Sequence, residues 1–262
     1  MMQRLWLGTV LLAGCLVENP DYRAPPDLRP CPNYPVGGGG GQNRPEVLVP
    51  GGMYRIDGVM FQVKDFYLDV FEVTVAAYRQ CRSAGACTTD PQTGSSYNWT
   101  AAPGTREDHP INGVTWEQAD EFCRWAGRRL PTEGEWEYAA AGRGASPYPW
   151  GSDAPDKQLC WARTWGMGTC PVGSFGKTLL GAPNCGGVAD LAGNVWEWTA
   201  TEYKKPYAQP ELICSKSRWA CSLRGGSWDS SDPNIVQAVY RNLATPDYRY
   251  ISVGFRCARN AQ

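Results

Sequence analysis

A single histidine stands in 262 residues, and no Cys-x-x-Cys pair occurs anywhere. The close pairs Cys81 and Cys87, and Cys214 and Cys221, are too widely spaced for zinc knuckles, so a zinc site is not expected. Basic runs are missing as well, and the formal net charge is -1. That balance argues against a nucleic-acid or anionic-lipid footprint. No apolar run approaches the roughly 20 residues that a membrane-crossing helix needs. Long helical patterns and internal repeats are also lacking, which excludes bundles and solenoids.

What the chain has in quantity is tryptophan, 12 residues, and glycine, 30 residues. Large rings with many turn formers point to short strands and loops around an aromatic core. Of 11 cysteines, ten remain once Cys15 is set aside. An even number in an exported chain reads as disulfides before metal or catalysis. Spacing leaves the connectivity open, although Cys81 with Cys87, and Cys214 with Cys221, each bracket a short polar loop.

Export is read from the N-terminus. Arg4 precedes the short apolar stretch Leu5 to Leu12, and Leu12-Ala13-Gly14-Cys15 resembles a bacterial lipobox. The resemblance implies a signal peptide over 1–15 and acylation at Cys15, hence a lipid-anchored cell-envelope protein. Leu16 is not the aspartate that marks inner-membrane retention, so the outer membrane or cell surface is expected. Residues 16–45, rich in proline and holding the run Gly37 to Gly41, read as a tether. Residues 46–262 read as one domain.

Within that domain, Asp57-Gly58 between Tyr54-Arg55-Ile56 and Val59 to Val63 predicts a hairpin. Phe66 to Val73 continues as strand, and Thr74 caps a helix reaching about Arg82. Thr115 with Gln118, and Thr132 with Glu135, form capping boxes for two more helices, stopped at Gly127 and Gly142. No helix is expected beyond these three, and Val253 to Cys257 reads as a buried strand.

Six ordered motifs carry a resemblance. They are His109-Pro110 through Val114-Thr115-Trp116; Ala126-Gly127-Arg128-Arg129-Leu130-Pro131-Thr132-Glu133-Gly134-Glu135-Trp136-Glu137; Tyr148-Pro149-Trp150-Gly151; Asp190-Leu191-Ala192-Gly193-Asn194-Val195-Trp196-Glu197-Trp198; Arg224 to Trp228; and Gly254-Phe255-Arg256-Cys257. From Glu46 to Arg259 the chain resembles the formylglycine-generating enzyme, or sulfatase-modifying factor, family. The resemblance implies an α+β, C-type-lectin-like fold with little regular secondary structure, and a disulfide between Cys123 and Cys257. The Arg-Leu-Pro-Thr-Glu run reads as architecture, and His109, without a second histidine or nearby cysteine, as a hydrogen-bonding residue.

Oxidising members of that family hold copper(I) between two cysteines after the Gly-Gly-Ser-aromatic motif, because cuprous ion prefers soft thiolates. Those positions are Ser230 and Ile235 here. No catalytic residue and no copper are therefore expected; the alternative is a copper-dependent oxidase of protein cysteine that draws its cysteines from non-standard positions. The iron-dependent, sulfoxide-forming branch needs a histidine-bearing helical domain that this sequence lacks. What the scaffold retains is a binding or structural role toward extracytoplasmic protein or glycan. The segment Asp229 to Val253 supplies the candidate contact residues Asp229, Asn234, Tyr240, Asn242, Asp247, Tyr248, Arg249 and Tyr250. The resemblance also implies a calcium site at Asp190 and Glu197 with carbonyl oxygens near Gly193 and Val195, a donor set suited to a hard cation. The competing reading has Asp190 capping the turn and Glu197 paired with an arginine.

Overall fold

A computed structural model describes residues 44–142, 146–175, 187–208 and 211–261. Cys15, Cys31 and Cys185, and most of the tether, lie outside them. Arg44 and Pro45, at the end of the expected tether, already belong to the folded part. Arg44 is buried and donates from Nε to Asp69 Oδ2 at 2.9 Å and from Nη2 to Phe71 O and Glu72 O.

Strands β1 (Glu46–Val49), β4 (Phe66–Asp69) and β9 (Ala258–Asn260) form an antiparallel sheet in the order β1-β4-β9. Between them the hairpin β2 (Gly52–Ile56) and β3 (Val59–Val63) pairs Ile56 with Val59. Its turn places Asp57 at φ 47° and Gly58 at φ 83°, the left-handed angles expected of Asp-Gly. A second sheet has the order β7-β6-β5-β8, from β5 (Trp196–Glu202), β6 (Cys221–Arg224), β7 (Arg241–Ala244) and β8 (Val253–Gly254). The β5–β8 pairing is parallel, the others antiparallel.

Helices α1 (Val75–Ser83), α2 (Trp116–Trp125) and α3 (Glu133–Ala140) begin at the expected caps. In both predicted boxes the threonine hydroxyl accepts from the third helical N–H while the Gln118 or Glu135 side chain accepts from the cap N–H. Phe122 of α2 packs against Tyr78 and Phe255, whereas Trp136 of α3 is enclosed in a second cluster with Phe66 and Leu68. No helix among the described residues is long and apolar enough to cross a membrane.

Two strands are shorter than the sequence suggests, for one reason. The expected strand Phe66 to Val73 stops at Asp69, where the chain bends at Val70 and Phe71 and its partners become loops: Val70 N–H donates to Pro45 O and Val73 N–H to Phe255 O. The terminal strand likewise breaks between Gly254 and Ala258, because the chain there leaves the β5 sheet and enters the β4 sheet. Phe255, Arg256 and Cys257 bridge the two sheets and are fully buried.

Four disulfides fasten these pieces: Cys81–Cys87, Cys214–Cys221, Cys123–Cys257 and Cys160–Cys170. The first two are the local closures, and the third is the pairing that the resemblance implied. Cys160–Cys170 was not anticipated, since nothing in its ten-residue spacing distinguishes it.

Candidate functional site

Arg224 ends β6 and is fully buried, held by Glu137 of α3 and donating to Ala238 O at 2.8 Å and Tyr240 O at 2.9 Å. Gly225 and Gly226 follow at φ 100° and 72°; a Cβ on Gly226 would stand 2.7 Å from Val236 Cγ1, so both the angle and the space require glycine. This double turn carries the chain into Ser227 and Trp228, whose ring is completely enclosed and donates to Ile251 O at 3.3 Å.

Beyond Trp228 a cleft of about 660 Å³ opens between this segment, β7 and the run leading to β8. Asp229, Asn242, Tyr248 and Tyr250, four of the candidate contact residues, line it. Tyr248 and Tyr250 stack with centroids 5.8 Å apart and are 41% and 37% exposed. Burial, and after it Tyr250, Tyr97 and Asp229, push the Tyr248 phenol above its ordinary pKa. The wall also includes Trp196, Asp232 and Ser252, which sequence reasoning did not single out. Trp196 was named only as a member of its motif. Asn234 and Tyr240 do not line the cleft: Asn234 bonds with Asp232 and Gln237, and Tyr240 packs against Trp196 at 6.0 Å. Asp247 is exposed beside the cleft, and Arg249 turns to Asp90 O at 3.4 Å.

Ser230 and Ile235, where the resemblance implies the family's copper thiolates, both line this cleft. Ser230 Oγ accepts from Ser227 N–H at 3.1 Å and lies 3.2 Å from Ser227 Oγ, which in turn donates to Asp229 Oδ1 at 2.6 Å. This is a hydroxyl–carboxylate network without a thiol. A hydroxyl and an alkyl chain do not suit cuprous ion, and all eight described cysteines are in disulfides.

Beneath the cleft, Glu197 of β5 is clamped by Arg256 through Nε–Oε2 and Nη2–Oε1 bonds of 2.7 Å each, and Trp136 Nε1 donates to Oε2 at 2.8 Å. Arg256 also donates to Asp69 O, Val70 O and Ala189 O, so all five of its N–H groups are used. Asp190, at φ 55°, accepts from Gly173 N–H. Burial pushes its carboxyl up to about 7. Burial, and then Asp190, also raise fully buried Glu72, whose Oε2 accepts from Asn194 while Oε1 has no partner. Three buried carboxyl groups thus face one guanidinium; without a cation the raised pKa values hold protons on Asp190 and Glu72, and a hard cation would replace those protons and take the orphaned Glu72 oxygen. The fit is to Asp190 with Glu72 rather than to Glu197, whose oxygens Arg256 already occupies.

Residues 39–261 match the family model described as Sulfatase-modifying factor enzyme 1-like domain. The chain is 38% identical over 175 residues to the inactive C-alpha-formylglycine-generating enzyme 2 of Mus musculus, spanning 62% of this chain and 54% of the relative. It is 34% identical over 183 residues to the formylglycine-generating enzyme of Mycobacterium tuberculosis, spanning 58% of each. The chain therefore covers somewhat over half the length of the curated relatives it matches. Among solved structures, PvdO from Pseudomonas aeruginosa superposes with a TM-score of 0.62 at 23% identity over 82% of this chain and 94% of that one, a likeness of fold.

Proposed function

Because the chain belongs to the sulfatase-modifying factor enzyme 1-like domain family, we propose that it uses that scaffold as a lipid-anchored envelope module that binds extracytoplasmic protein or glycan, and not as a copper-dependent oxidase of cysteine. The observation that carries the proposal is the cleft itself, in which Ser230 and Ile235 stand where thiolates would have to be and every described cysteine is disulfide-bonded. The mouse relative at 38% identity is named as inactive, which supports the same reading. The stacked Tyr248 and Tyr250 offer flat faces, and Asp229 and Asn242 offer hydrogen bonds, which together suit a sugar ring or an extended polypeptide. A calcium ion held by Asp190, with Glu72 beside it, belongs to the same proposal as a structural ion that balances buried charge. Cys15 anchors the module, and the chain between it and Arg44 gives it reach.

The test is a free-thiol count on the unreduced mature domain, followed by incubation with cuprous ion, oxygen and a sulfatase-type cysteine peptide. Few or no reactive thiols and an unmodified peptide are expected. Two thiols that disappear on adding cuprous ion, together with an aldehyde in the peptide, would establish the oxidase instead, drawing on cysteines outside the described residues.

A further inference from the structure

A second pocket, of about 390 Å³, shares no lining residue with the cleft and is walled by Arg106, His109, Arg163 and Thr169. A chain of donors organises it. Arg106 Nη1 donates to Asn98 Oδ1 at 2.9 Å. Asn98 Nδ2 spends its two hydrogens on Pro110 O at 2.8 Å and Thr169 Oγ1 at 2.9 Å. The Thr169 hydroxyl hydrogen is then left for His109 Nδ1, 2.8 Å away. In the tautomer in which that hydroxyl donates to Nδ1, the imidazole proton sits on Nε2, an N–H with no acceptor among the described residues.

Both guanidiniums close on one glycine. Arg163 Nε donates to Gly168 O at 2.7 Å, and a Cβ on Gly168, at φ 65°, would stand 2.7 Å from Arg106 Nη1. Neither arginine meets a carboxylate among the described residues; their polar partners are the amide of Asn98 and the carbonyl of Gly168. The acid facing His109 is Asp108, which is solvent-exposed. Burial outweighs the opposing pull of Asp108, and Arg106 and Arg163 add to it, so the imidazole is held below its ordinary pKa. The disulfide Cys160–Cys170 closes the loop that carries Arg163, Gly168 and Thr169. Arg163 N–H donates to Trp228 O and Cys170 N–H to Asn194 Oδ1, both at 2.9 Å, so these walls are fixed before any ligand arrives.

We propose that this pocket is a binding site for a tetrahedral oxyanion, a sulfate or phosphate group borne on the module's ligand or free in the envelope. Two planar guanidiniums with unused N–H groups match such oxygens in pairs, and His109 Nε2–H supplies a further donor. Exposed Trp165 and Met167, 69% and 51% accessible, stand on the same loop and offer an apolar face to whatever carries the anion.

His109 is the only histidine, so its titration can be followed by NMR without assignment of rivals. The full mature chain is titrated in sodium chloride, sulfate and phosphate at matched ionic strength. In sulfate or phosphate the His109 pKa should rise saturably by about one unit, the size of effect that an opposite charge within contact range produces. A response to one of the two ions alone supports the site and identifies the ion. Arg163→Gln, with melting temperature checked, should abolish the rise. Equal pKa in all three salts, a rise that never saturates, or a rise retained in Arg163→Gln would overturn the proposal.

Discussion

Replacing Arg256 with methionine removes the one cation among three buried carboxylates while preserving much of the side chain's length. In the native domain its guanidinium makes two bonds to Glu197 and reaches the carbonyls of Asp69, Val70 and Ala189. The variant leaves an ionised carboxylate and three backbone oxygens without that partner, at zero exposure for residue 256. Breaking a buried pair by deleting one member costs roughly 3–5 kcal/mol. Against the roughly 5–15 kcal/mol that holds a domain together, Arg256→Met should abolish a large share of the stability. Urea unfolding of the mature domain reads this directly, with Arg256→Lys as an intermediate case because lysine restores charge but not the fork. Adding Glu197→Gln to Arg256→Met should recover more than about 1 kcal/mol, since the amide is neutral and still accepts from Trp136. A loss below about 1 kcal/mol for Arg256→Met, or no recovery in the double variant, would refute the electrostatic account of this layer.

Cys123→Ser should lower stability by about 5 kcal/mol, since the bond to Cys257 spans 134 residues; an unchanged melting temperature would count against the chain-entropy argument. Raised carboxyl pKa values at Asp190 and Glu72 mean that the folded state holds protons which the unfolded chain releases near pH 4. Without a bound cation, stability should therefore fall as pH climbs from about 4 past 7. Glu72→Gln should flatten that fall, and a melting temperature equally steep in wild type and variant would exclude Glu72 as its source. At pH 8, calcium should raise the melting temperature and Asp190→Ala should remove the gain; identical melting in calcium and chelator would remove the ion from this account.

Local rules made part of this molecule readable. A capping box spans three residues, so Thr115 with Gln118 and Thr132 with Glu135 announce their helices without any tertiary knowledge, and Asp57-Gly58 does the same for the hairpin. Asp229, Asn242, Tyr248 and Tyr250 come together because the flanking motifs delimit one segment of cleft wall. Asn234 stands apart from it because its short polar side chain is spent on its own turn with Asp232, and Tyr240 because it packs on Trp196. The anion pocket was illegible for a different reason. Its walls come from two loops joined through Asn98 and Thr169, 71 residues apart, and no periodicity or spacing encodes such a meeting. The switch of the terminal strand between sheets was equally hidden, since Val253 to Cys257 has the same apolar character whether it pairs throughout or crosses a gap.

That crossing has a consequence for assembly. One short stretch, from Phe255 to Asn260, joins the two halves: β9 pairs with β4, Cys257 bonds Cys123, and Arg256 completes the charge layer that includes Glu72. Until that stretch docks, β4 lacks one of its two neighbours and the Cys123 thiol lacks its partner, so the two sheets should close together in one step. A variant truncated after Gly254 should stay open, visible as protease sensitivity without any change in the cleft-lining residues.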